Sequence, residues 1–168
     1  MILNNLKKSF YLNSIFIFLI FILDRTSKIY VINLNNNFSN SELFSSKFLN
    51  INLIWNKGIA FGLFSFNRGN LYDFITIFIL IIIFIIFVMI FKNTGFKRTS
   101  LIMIFGGAIG NLYDRIFYKA VPDFIDIHVG SFHWFIFNVS DIFITLGVIG
   151  MITFEIFNND KVKVNEKI

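Results

Sequence analysis

Residues 74–91 read FITIFILIIIFIIFVMIF, with Thr76 the only polar side chain among them. At about 1.5 Å per residue, a helix of this length reaches across most of the ~30 Å hydrocarbon core of a bilayer. A helix that is apolar on every side has to be buried on every side, in protein or in lipid. The run belongs to a span of about 71–91, and three more stretches, about 9–34, 99–118 and 135–157, are also long enough to cross.

Composition decides between protein and lipid as the covering. The chain has 168 residues, of which 56% are hydrophobic and 15% charged, with a mean hydropathy of +0.73. A soluble domain of this length cannot bury that much apolar surface, so lipid must cover part of it. The expected fold class is an α-helical integral membrane protein, with four transmembrane helices in one membrane-embedded domain over 1–168. The net charge of +5 points to anionic lipid headgroups and not to nucleic acid, since no basic block with interleaved aromatics is present.

The chain contains no cysteine, which excludes disulfides, thiolate metal sites, a Cys nucleophile and lipid anchoring through an N-terminal Cys. His128 and His133 lie five apart without an HExxH pattern. They read as interfacial residues, and neither a metal nor another cofactor is expected. Lys7 and Lys8 precede the first apolar stretch, but no small-x-small cleavage site follows. We therefore read that stretch as an uncleaved span.

Basic residues set the expected orientation. Eight lie at one set of ends (Lys7, Lys8, Lys92, Lys97, Arg98, Lys161, Lys163 and Lys167) and seven on the other side. Arg25, Lys28 and Arg115 sit beside acidic groups within the spans and carry little topological weight. Without them the ratio is eight to four, which places both termini in the cytoplasm.

The segment of about 36–70 is not membrane-like. LNINLIW (49–55) alternates Leu49, Ile51, Leu53 and Trp55 with Asn50 and Asn52, the period-two signature of a strand. NKG (56–58) signals a turn and IAFGLF (59–64) a return strand. The expectation is a small sheet on the outer membrane surface between the first two helices. A second outer loop, about 119–134, holds VPDFIDIHVGSFHW.

The polar residues inside the spans gather at one end. Span one ends with Asp24, Arg25 and Lys28, span three with Asn111, Asp114 and Arg115, and span four begins with Asn138 and Asp141. In a four-span protein these ends share one face. Asp24 and Lys28, at i and i+4, read as a structural ion pair. Asp114 with Arg115 reads equally well as an interfacial pair, and Asn138 as an interhelical hydrogen-bond donor. Asp141 is expected about six residues into its span, roughly 9 Å below the interface. A carboxylate inside a bilayer costs about 2.5–3.5 kcal/mol, which calls for a function. GGAIG (106–110) offers a small-xxx-small face for close helix packing.

Carboxyl groups with surrounding amides are the remaining chemistry. A pair sharing one proton can activate water while polarising a carbonyl, which suits peptide hydrolysis. From the residues alone, Asp114 and Asp123 are both candidates to work with Asp141. Asp114 is followed by Arg115, whereas Asp123 sits in a loop with no adjacent base and is freer to share a proton.

NKGIAFG (56–62), GGAIGNLYDR (106–115), PDFID (122–126) and FNVSD (137–141) together resemble the motifs of bacterial lipoprotein signal peptidases, the signal peptidase II family. LDRTSK (23–28) is similar to that family's first-span motif, and the likeness covers about 20–160 in order. The resemblance implies an intramembrane aspartyl endopeptidase. It would cut the signal peptide from prolipoproteins before a Cys already carrying diacylglycerol. Asp123 and Asp141 are implied as the catalytic dyad. Asn56 with Gly58, Asn111, Arg115 and Asn138 are implied to line the site, and Asp24, Lys28 and Asp114 to support it. The implied partners are the lipid-modified substrate and membrane lipid, and the chain is expected to be a monomer. Ser140 and Pro122 depart from the family's usual Ala and aliphatic residue, which bears on how the dyad is presented. A small proton-coupled transporter or channel subunit is the alternative, and a structural membrane subunit a third reading.

Overall fold

The computed structural model describes residues 2–37, 42–58 and 69–165. The helices are α1 (Ile2–Asn37), α2 (Gly69–Lys92), α3 (Gly95–Tyr118) and α4 (Val139–Asn165). The strands are β1 (Glu42–Ser45), β2 (Leu49–Asn56), β3 (Val121–Val129) and β4 (Phe132–Phe137). They form one antiparallel sheet in the order β1-β2-β3-β4.

The sheet differs from the sequence expectation in its strand pairing and in its burial. LNINLIW forms β2 as expected, but β2 pairs with β1 on one side and with β3 on the other. The loop expected over 119–134 is a hairpin, and it completes the sheet with strands from between α3 and α4. The return strand expected at 59–64 lies outside the described residues. The apolar side of β2 is also less sheltered than its period suggests. Trp55 is exposed, while Asn50 is buried and accepts a 2.9 Å hydrogen bond from Ser45 Oγ.

Burial runs opposite to that of a soluble domain. Phe18, Phe74, Phe84 and Ile152 on the helix flanks are more than half exposed, while Asp24, Asp114, Asn138 and Ser140 are completely buried. Among the described residues, two helices, Tyr72–Lys92 and Val139–Phe157, are long and apolar enough to cross a membrane. α1 and α3 are longer still but carry the Asp24–Lys28 and Asn111–Arg115 charges. An apolar core around Ile90, Leu101 and Ile102 holds α2, α3 and α1 together at the end opposite the sheet.

Helix α3 is central, packing against α1, α2 and α4. Its glycines permit this. A Cβ on Gly106 would press on Ile20 of α1, and one on Gly107 would strike the Ser140 carbonyl of α4. Gly110 faces both neighbours at once, with Ser140 Oγ and the Asp24 carboxylate where its side chain would be. Only a residue without Cβ lets three backbones meet there. We expect Gly110→Ala to destabilise the fold by about 1–3 kcal/mol through overpacking. The check is the thermal midpoint in detergent, with the exposed change Ile152→Ala leaving it unchanged.

Candidate active site

The polar end of the bundle is built on a closed charge network. Arg25 grips Asp114 with both terminal nitrogens, at 2.6 and 2.8 Å, and reaches Asp24 at 2.8 Å. Lys28 Nζ lies 2.9 Å from Asp24 and 2.7 Å from Asp114. Asp24 also accepts the Ser140 backbone N–H at 3.1 Å, which ties α1 to the start of α4. The Asp24–Lys28 pair is thus half of a four-charge cluster joining α1 to α3. Asp114 turns toward Arg25 and Lys28 and not toward Arg115. The Arg115 guanidinium donates to the Asn111 carbonyl at 3.1 Å, and its Nε has no partner among the described residues.

Above this network stand Asp123 and Asp141. Asp123 was expected in a loop, yet it lies in β3, opposite Ile54 of β2. The ladder fixes its backbone, and Pro122 sits within the same strand opposite Trp55. Asp141 was expected six residues into a span, yet it lies in the first turn of α4. The cause is local. Asn138 Oδ1 accepts the Asp141 N–H at 3.2 Å, and the Asp141 carboxylate accepts the Asn138 N–H at 3.1 Å. This reciprocal pair is a capping box, and its three-residue spacing starts the helix at Val139. Residues 135–137 consequently belong to β4 instead of the helix.

Three asparagines hold the two acids, and each is clamped by its own carbonyl. Asn56 Oδ1 accepts the Gly58 N–H at 2.8 Å, which leaves Nδ2 to donate to Asp123 at 2.8 Å. Asn111 Oδ1 accepts from Lys28 at 2.9 Å, and its Nδ2 donates to Asp141 at 2.8 Å. Asn138 uses Oδ1 in the helix cap, and its Nδ2 donates to Asp123 at 2.6 Å. In each case the clamped oxygen determines that the NH₂ end faces the acid. Asn138 touches both carboxyls and links them.

Burial, together with the nearby Asp141 charge, pushes the Asp123 carboxyl from 3.8 up to about 6, against the hydrogen bonds from Asn56 and Asn138 and the Lys28 charge. Asp141 is only partly buried. It opens onto an apolar groove of about 390 Å³ whose walls include His128, Phe132, Trp134, Phe137 and Ile142.

One grouping was not legible beforehand. Asp126, His128 and His133, the last two read as separate interfacial residues, come together on the β3–β4 hairpin. The i, i+2 spacing of Asp126 and His128 and the turn at Gly130 were the available signals.

A helical bundle with polar residues inside and apolar residues outside, carrying acid and amide side chains at one end, defines a membrane-embedded enzyme. The chain aligns with a bacterial membrane enzyme solved by the in meso method at 2.3 Å, with a TM-score of 0.71 and 30% identity over 89% of this chain and 90% of that one. Residues 16–157 match the family described as signal peptidase (SPase) II. A lipoprotein signal peptidase of Pelagibacter ubique is 52% identical, covering 95% of this chain and 96% of that protein. Another from Anaplasma marginale is 36% identical, over 92% and 89%. The chain belongs to the signal peptidase II family, and its function is that of this peptidase. Family membership sets aside the transporter and structural-subunit readings.

Because the Asp123 value is raised, this carboxyl keeps its proton between pH 3.8 and about 6, where an ordinary aspartate has lost it. An infrared titration is expected to show a protonated carboxyl band that disappears with a midpoint near 6 and is missing in Asp123→Asn.

Proposed function

We propose that the chain is an aspartic endopeptidase acting on diacylglyceryl-modified prolipoproteins, cleaving before the lipidated Cys. Asp123 and Asp141 act as a dyad sharing one proton. The ionised member takes a proton from the attacking water while the protonated member polarises the scissile carbonyl. The observation that carries this reading is Asn138, whose side-chain amide donates to the strand carboxyl of Asp123 and whose backbone N–H donates to the helix-cap carboxyl of Asp141. Asn56, Gly58 and Asn111 position the pair, and Arg115, whose charge acts on both acids, lines the site. Asp24, Lys28 and Asp114 hold the supporting frame.

In this reading the chain is a single domain that crosses the membrane four times as a monomer. Both termini lie in the cytoplasm, and the sheet lies on the outer face of the cell membrane. The apolar groove beside Asp141 admits the signal helix laterally from lipid, and the sheet around Asn56 covers the substrate from above.

The test of the chemistry is the initial cleavage rate of a diacylglyceryl-modified prolipoprotein by purified variants at equal folded concentration. Asp123→Asn and Asp141→Asn are each expected to lower it by at least about 10²-fold, the scale of losing an acid–base group, while still binding substrate. Asp114→Asn is expected to reduce folded yield yet leave residual cleavage. Loss of all cleavage in Asp114→Asn with activity retained in Asp123→Asn would move the catalytic role to Asp114.

The orientation has its own test. Reporter fusions after Lys97 are expected to read as cytoplasmic and fusions near Lys119 as external. The reverse pattern overturns the proposed topology.

A further inference from the structure

The geometry points to a binding site for a first-row divalent metal ion, zinc by ligand type, formed by Asp126, His128 and His133 on the β3–β4 hairpin. One ligand atom from each of these three residues lies within 4.8 Å of the other two. Donors bound tetrahedrally at about 2.0–2.1 Å sit roughly 3.3 Å apart, so small rotamer changes close the set.

The backbone explains the convergence. Asp126 and His128 are two apart on β3, and alternate residues of one strand share a face, although the pairing with β4 shifts register between them. His133 is the direct cross-strand partner of His128. Directly opposed side chains of an antiparallel pair lie on the same face. The two imidazoles stack with centroids 5.0 Å apart at 19°. His133 Nδ1 lies 2.9 Å and 3.1 Å from the two oxygens of the Asp126 carboxylate.

Two observations separate this cluster from an ordinary surface ion pair. Asp126 is a buried carboxylate, 3% exposed, so its partner matters. His128 Nδ1 is buried and has no hydrogen-bond partner among the described residues. A buried ring nitrogen without a partner leaves His128 with unused hydrogen-bonding or ligating capacity. Two imidazoles and one carboxylate suit zinc among the available divalent ions, with water completing the coordination. The bound ion would take the place of the proton between His133 and Asp126. It would clip β4 to β3 three residues beyond Asp123. The site uses neither member of the dyad and does not rest on the proposed mechanism, although His128 also lines the groove beside Asp141.

The chain has two histidines in all, so tag-free protein gives an unambiguous readout. We expect folded, detergent-purified protein to bind one Zn²⁺ per chain in competition with a chromophoric chelator. With Cu²⁺ as the probe, electron paramagnetic resonance is expected to show two imidazole nitrogens. His128→Ala, His133→Ala and Asp126→Asn are each expected to weaken Zn²⁺ binding by about 10–100-fold or more. Zn²⁺ is expected to raise the thermal midpoint of the wild type and not that of His133→Ala. The His133 side chain is half exposed, so this variant keeps the test decisive if the others fail to fold. Absence of stoichiometric uptake by the folded wild type, or unchanged affinity in His133→Ala, overturns the site.

Discussion

The structure depends on four buried charges that neutralise one another. Asp24, Arg25, Lys28 and Asp114 are almost wholly removed from solvent. Burying ions costs several kcal/mol each unless their partners are in place. Here each acid meets both cations, and each cation meets both acids. Removing one member leaves an uncompensated charge in a low-dielectric interior, so α1 and α3 are held in a single register. The Arg25 guanidinium also stands over the Tyr113 ring at 4.8 Å, which fixes the side chain from its free face.

That frame reaches Asp123 and Asp141 through amides. Lys28 does not touch Asp141. It fixes Asn111, and Asn111 donates to Asp141. Asp24 takes the Ser140 N–H, which anchors the turn where Asn138 caps α4. The helix cap in turn presents Asn138 Nδ2 to Asp123 on the sheet. A backbone cap, a charge cluster and a strand ladder thus meet within a few residues, and Gly110 leaves the space in which they meet.

Much of this was legible in the sequence wherever the signal was local. The apolar runs gave the helices, LNINLIW gave β2, and the alternation of span ends gathered Asp24, Lys28, Asn111, Asp114, Asn138 and Asp141 at one end. What escaped depended on contacts between distant segments. VPDFIDIHV shows no clean alternation because its first residues are buried on both faces, and strands buried on both faces do not alternate. Asn138 and Asp141 were read as lying inside a span that starts near 135, because i, i+3 spacing looks the same in a helix interior and in a cap. The partner of Asp114 was sought next door at Arg115 and stands 89 positions away at Arg25. The histidines were judged by a linear motif, whereas a hairpin register brings them together.

The four aspartates of the polar end sort by what touches them, and the proposed division between frame and chemistry follows the same line. Asp24 and Asp114 face full positive charges, so their oxygens are committed to ion pairs. The hydrogen bonds described for Asp123 come from Asn56 and Asn138, and those for Asp141 from the Asn111 side chain and the Asn138 backbone. A neutral amide orients a carboxyl without imposing a neighbouring charge, so the proton can still move. An ammonium in the place of any one amide would hold its carboxyl ionised and withdraw it from proton sharing. Interposing Asn111 between Lys28 and Asp141 transmits position while keeping the full charge one residue away. On this reading the three asparagines are the condition under which two carboxyls in the bundle end can work as an acid–base pair.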